Sequence, residues 1–100
     1  MEYLTLQQTD LKVSKIALGC MRINGKSVEE VEALVKTALD LGINFFDHAD
    51  IYGGGKSEEV FGEVLKRHPE YRAKMILQTK CGIVPGKRYD FSKEHILQCV

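Results

Sequence analysis

The chain has 100 residues, 44% hydrophobic and 28% charged, enough for one modest core and at most one domain. Fourteen basic residues balance fourteen acidic ones, so no net field draws the chain toward nucleic acid or an anionic membrane. Cys20, Cys81 and Cys99 stand far apart with no C-x-x-C pair, which argues against a disulfide framework and against a zinc site.

The opening Met1-Glu2-Tyr3 is not a basic stretch leading into an apolar one, and the longest apolar runs are only a few residues. A soluble, cytoplasmic protein with reduced thiols is expected. Tyr3-Leu4-Thr5-Leu6 and Leu11-Lys12-Val13-Ser14 alternate around polar Gln7 to Asp10, which predicts a small hairpin over residues 1–14, acting as a lid rather than a core element.

Lys15 to Cys20 is an apolar run of strand length, followed by a polar loop from Arg22 to Lys26. Ser27 stands three residues before Glu30, a capping-box spacing, and Val31, Leu34, Val35, Ala38 and Leu39 recur at helical intervals. Gly42 is a natural stop for that helix. Ile43 to Asp47 predicts a second strand, Gly53 to Lys56 a flexible loop, and Ser57 the cap of a second helix with Val60, Phe61, Val64 and Leu65 on its apolar face. This helix should end near His68-Pro69, because proline disfavours the helical conformation in the residue before it.

Met75 to Lys80 predicts a third strand, Gly82 to Asp90 a polar loop, and Ser92 with Glu94 and His95 the opening of a third helix. The strand starts near 15, 43 and 75 are about thirty residues apart with a helix between each, the spacing of βαβ units with right-handed crossovers and a parallel sheet. A parallel sheet needs cover on both faces or closure. The expected fold class is therefore α/β of the (β/α)8 TIM-barrel type, of which residues 15–100 would form the first three βα units of about 250 residues.

In such barrels the C-terminal ends of the strands form the active rim, where this sequence places Gly19-Cys20, Asp47 and Lys80. Taken singly, Asp47 could cap a turn, Tyr52 could pack by its ring and Lys80 could reach for water. Together they suit acid–base chemistry. A lysine ending an apolar strand needs an anionic partner, Asp47 on the neighbouring strand supplies one, and an ammonium beside a phenol favours the phenolate and eases proton donation.

Phe46-Asp47-His48-Ala49-Asp50-Ile51-Tyr52-Gly53 followed by Ser57-Glu58-Glu59-Val60-Phe61-Gly62 resembles the aldo-keto reductase pattern of Asp-x-Ala-x-x-Tyr-Gly, then Ser-Glu and Gly. Leu18-Gly19-Cys20-Met21 resembles the family's first-strand motif, and Gln78-Thr79-Lys80-Cys81-Gly82 resembles its third-strand segment. The resemblance implies Tyr52 as proton donor, Lys80 as its tuner and Asp47 as the partner of the lysine, with a further histidine at the end of a fourth strand. His48, His68 and His95 do not match that histidine. It also implies hydride transfer from NADP(H), or from NAD(H), to a small-molecule aldehyde or ketone, with the backbone at Gly19, Cys20 and Met21 and the Asp47 side chain bordering the nicotinamide ribose. No metal, nucleic acid or membrane partner is implied, and oligomeric state is left open. Relatives of this family that serve as nucleotide-binding partners of membrane channels keep the barrel, so a non-catalytic subunit is the alternative.

Three rival motifs fail on spacing. Gly53-Gly54-Gly55-Lys56-Ser57 invites a phosphate loop, yet Asp50 falls where that motif needs its first glycine. A dinucleotide fingerprint puts Glu58 at its third glycine. His48 and Asp50 as metal ligands lack a matched third.

Overall fold

A computed structural model describes residues 1–100. Its first strands, β1 (Tyr3–Thr5) and β2 (Lys12–Ser14), pair antiparallel with Leu4 opposite Val13. The Tyr3 hydroxyl donates to the Gly42 carbonyl at 2.7 Å, and the Ser14 N–H donates to Asn44 Oδ1 at 2.8 Å. Both acceptors precede the strand that ends in Asp47. The hairpin therefore closes over the end of the sheet opposite to that carboxylate.

Three short strands, β3 (Leu18–Gly19), β4 (Phe45–Asp47) and β5 (Ile76–Gln78), form a parallel sheet in that order. Its register aligns Leu18, Phe46 and Leu77 in one row and Gly19, Asp47 and Gln78 in the next. The helices α1 (Val28–Asp40) and α2 (Lys56–Arg67) make the crossovers. The sheet is open, since β3 and β5 each pair on one side only, and no barrel closes within these residues. All three strands are shorter than the sequence suggests, β4 beginning at Phe45 rather than Ile43. Lys15 to Ala17 lie outside the ladder because the Ser14 hydroxyl donates to the Ile16 carbonyl at 2.6 Å and bends the entry, and Lys80 lies two residues past the end of β5.

The α1 helix opens with the expected capping box: Glu30 N–H donates to Ser27 Oγ, and Ser27 N–H donates to Glu30 Oε1, both at 3.1 Å. Its buried stripe is Val31, Val35 and Ala38, and the matching stripe of α2 is Ser57, Phe61 and Val64. Both stripes follow the i, i+4, i+7 spacing that puts side chains on one helical face. They meet over Phe46, with Cys20, Ile23 and Met75 completing the core. The Phe46 and Phe61 rings lie 5.5 Å apart, and burying a phenylalanine of this kind stabilises by about 2 to 3 kcal/mol.

Three local expectations change. Ser57 does not cap α2; it occupies the first position of the buried stripe, and Gly55 is the capping residue. Residues Tyr52–Gly55 form a 3₁₀ turn rather than a flexible loop, with Gly53 at φ +58° against Asn24, where a Cβ would stand 2.4 Å from the Asn24 Cβ. Within the expected polar loop from Gly82 to Asp90, β6 (Ile83–Val84) and β7 (Arg88–Tyr89) pair as a second hairpin. The last helix, α3 (Lys93–Cys99), is capped by Ser92, which accepts from the His95 N–H at 3.2 Å, and none of its residues is buried. No helix is long and apolar enough to cross a membrane.

Candidate active site

The C-terminal ends of β4 and β5 bring Asp47 and Lys80 together. Lys80 Nζ lies 2.7 Å from Asp47 Oδ1 and donates at the same distance to the His48 carbonyl. Backbone bonds between these ends fix the geometry: His48 N–H donates to the Gln78 carbonyl at 2.8 Å and Asp50 N–H to the Lys80 carbonyl at 3.1 Å. The lysine therefore has one charged and one neutral acceptor waiting for it, as a cation leaving an apolar strand requires.

Tyr52 enters from the 3₁₀ turn that follows β4, and its ring centroid lies 5.2 Å from Lys80 Nζ. Ammonium and aromatic ring at this separation attract through the ring quadrupole. Partial loss of hydration opposes the charge on Lys80, but its hydrogen bond to Asp47 and the proximity of Tyr52 outweigh it and hold the ammonium above its ordinary range. The same hydrogen bond from Lys80, aided by Gln78, holds the Asp47 carboxyl below its ordinary range despite partial burial. Tyr52 and Lys80 line a half-open pocket of about 240 Å³ with Ile51, Cys81 and Ile83, so the new hairpin borders it. A larger groove of about 560 Å³ lies between the Asn24 loop and α2, is lined largely by charged side chains, and contains none of the three residues.

The first-strand residues separate by side chain. Gly19 lies in the row of Asp47, and a Cβ there would meet nothing within 4 Å, which leaves open space beside the carboxylate. Cys20 turns its side chain into the core, where burial, with a smaller effect from Asp47, pushes its thiol up to about 12. Only its backbone can face a ligand; its N–H donates to the Asp47 carbonyl at 2.9 Å. Met21 is exposed, and its carbonyl accepts from the buried Ser57 hydroxyl at 3.4 Å, which ties the rim to α2. The residues present could hold a nicotinamide ribose: Gly19 leaves open space, and Asp47 offers a carboxylate that can accept from hydroxyls.

Two residues of this region take places that the sequence reading did not assign to them. Gln78 donates to Asp47 Oδ1 at 2.7 Å from the adjacent position in its row. His48 faces the helices: it is 4% exposed, its ring stands edge-on to Phe61 at 4.5 Å, and neither ring nitrogen has a hydrogen-bond partner. Burial holds its pKa below the ordinary value. Alternation carried the signal for both, since neighbours along a strand face opposite sides and residues two apart face the same side.

Parallel βα units here carry an ion pair and a phenol at their C-terminal strand ends, an α/β arrangement. The chain belongs to the aldo/keto reductase family, whose model matches residues 15–100. It is 42% identical over 103 aligned residues to the 6-dehydroglucose reductase of Novosphingobium aromaticivorans, an alignment covering 95% of this chain and 34% of that protein. It is 31% identical to a probable voltage-gated potassium channel subunit beta of Oryza sativa subsp. japonica, over 98% of this chain and 31% of that protein. Among solved structures, the holo form of an aldo-keto reductase from Bacillus halodurans superposes with a TM-score of 0.80 at 35% identity, over 98% of this chain and 33% of that one. The chain thus spans about a third of the length of the curated relatives it matches.

Proposed function

We propose that residues 15–100 are the first three βα units of a (β/α)8 barrel whose full polypeptide reduces aldehydes or ketones to alcohols with NADPH, or with NADH, in the cytoplasm. The observation that carries this reading is the single ammonium of Lys80 held between the Asp47 carboxylate and the Tyr52 ring at the active rim. Reduced nicotinamide, when bound, supplies the hydride that the carbonyl carbon receives. Gly19, Met21 and the Cys20 backbone would border its ribose, and Asp47 would accept from a ribose hydroxyl.

Tyr52 donates its hydroxyl proton to the carbonyl oxygen as negative charge develops there. Lys80, charged and close, stabilises the phenolate that remains, and Asp47 keeps the lysine in place. The pocket around Tyr52, bordered by Ile51, Cys81 and Ile83, favours the apolar part of a small carbonyl compound. A non-catalytic nucleotide-binding subunit is the second reading, favoured by the likeness to the channel subunit over nearly the whole chain. Turnover separates the two. The full polypeptide mixed with NADPH and a reactive test aldehyde should consume the cofactor continuously, at one equivalent per equivalent of alcohol. Cofactor binding without consumption across several aldehydes and ketones would favour the subunit reading.

A further inference from the structure

We propose that Gln78 is a positioning residue of this site, fixing the Asp47 carboxylate so that Asp47 in turn fixes Lys80; the inference rests on the catalytic reading given above. In the parallel register Gln78 stands directly beside Asp47, and Lys80, two residues further on, leaves the same face of the chain. Gln78 Nε2 and Lys80 Nζ both donate to the same oxygen, Asp47 Oδ1, each at 2.7 Å. Facing a carboxylate, only the nitrogen end of an amide can make this bond, so the orientation of the Gln78 side chain follows from chemistry.

The arrangement matters because a carboxylate held by one flexible lysine can swing about its own Cβ–Cγ bond and carry the ammonium with it. A second donor, projecting from the strand itself and lateral to the first, removes that freedom. On the opposite flank of Asp47 the row ends in Gly19, which has no side chain to hold the carboxylate. Gln78 is thus the one side chain of this row that can brace it. Its hydrogen bond also favours the charged carboxylate, the form that Lys80 needs as partner.

The test is a double-mutant cycle in the full polypeptide, with kcat for a test aldehyde measured for the parent, Gln78→Met, Asp47→Asn and the double variant. Gln78→Met keeps the length of the side chain and removes the donor; Gln78→Leu serves as the second variant should the thioether pack poorly. Either should lower kcat about 10-fold in the parent, the scale of a lost hydrogen bond to a charged group, and by less than about 2-fold in the Asp47→Asn background. Equal losses in both backgrounds, or none in the parent, would overturn the inference. A second readout does not depend on turnover: in an NMR titration the Asp47 carboxyl midpoint should move to higher pH in Gln78→Met. If the parent proves inactive while the midpoint moves, the reductase reading fails and the bracing role stands; an unmoved midpoint sinks the bracing role itself.

Discussion

His48 and His68 respond to pH in opposite directions. The His48 ring is buried without a hydrogen-bond partner and its pKa is depressed by that burial, so the unfolded chain takes up a proton first as pH falls below about 6.5. Its effect is a loss of stability on acidification. His68 is hydrogen-bonded to Glu32 and Glu70 and stacks on Tyr71 at 4.6 Å; chiefly through Glu32, its pKa is raised. Its stabilisation is full below about 6.5 and is lost as pH rises through the raised value. The two effects oppose each other in the parent protein, and single variants separate them. Between pH 8 and 6, urea midpoints of the full polypeptide should fall with pH in His68→Asn and rise as pH falls in His48→Leu. The same slope in both variants would refute the assignment. Asp47 and Lys80 were legible as a pair because strand ends and charge complementarity are both visible in the sequence. The burial of His48 was not, because its polar neighbours Asp47 and Asp50 disguise a residue that faces the helices.

At the level of elements, period and capping chemistry transferred well. Ser27 and Glu30 form the capping box their spacing predicts, and the stripe Val31, Val35 and Ala38 is buried as its periodicity predicts. Ser57 misled because a serine at a helix start satisfies the same rule whether it caps the helix or begins its buried face; what decided was the spacing to Phe61 and Val64. The hairpin of β6 and β7 was hidden by its brevity, although Pro85-Gly86 is a turn signal and Gly86 adopts φ +73° there. Phe61 joins the elements, touching Phe46 of the sheet and His48 behind the site. Phe61→Ala should therefore destabilise by about 3 to 5 kcal/mol in chemical denaturation, and a cost below about 1 kcal/mol would show that the two-helix core is not where this part of the molecule is held.

Across the whole molecule, the repeat spacing revealed the parallel sheet, and the three strands of that sheet form no closed barrel. Only 15 of the 100 residues are buried, while Tyr89, Phe91, Leu97 and Val100 are each more than half exposed and both sheet edges are unpaired. Residues 1–100 expressed alone should consequently lack turnover and melt without a cooperative transition, or associate through the open edges. A monomer with a sharp calorimetric transition would contradict this. The hairpin at residues 1–14 illustrates the limit of sequence reading at this scale: its existence follows from alternation, but its docking at Gly42 and Asn44, at the end of the sheet away from Asp47, depends on contacts some 30 to 40 positions away in the chain.

The role that organises the proposed site is that of Tyr52 as the acid of hydride transfer. It is tested most directly by Tyr52→Phe in the full polypeptide, followed by NADPH consumption with a reactive aldehyde and by cofactor binding in the same preparation. The expected result is a loss of turnover of at least about 100-fold, the scale of a missing general acid, with cofactor affinity unchanged. Turnover equal to that of the parent would contradict the account.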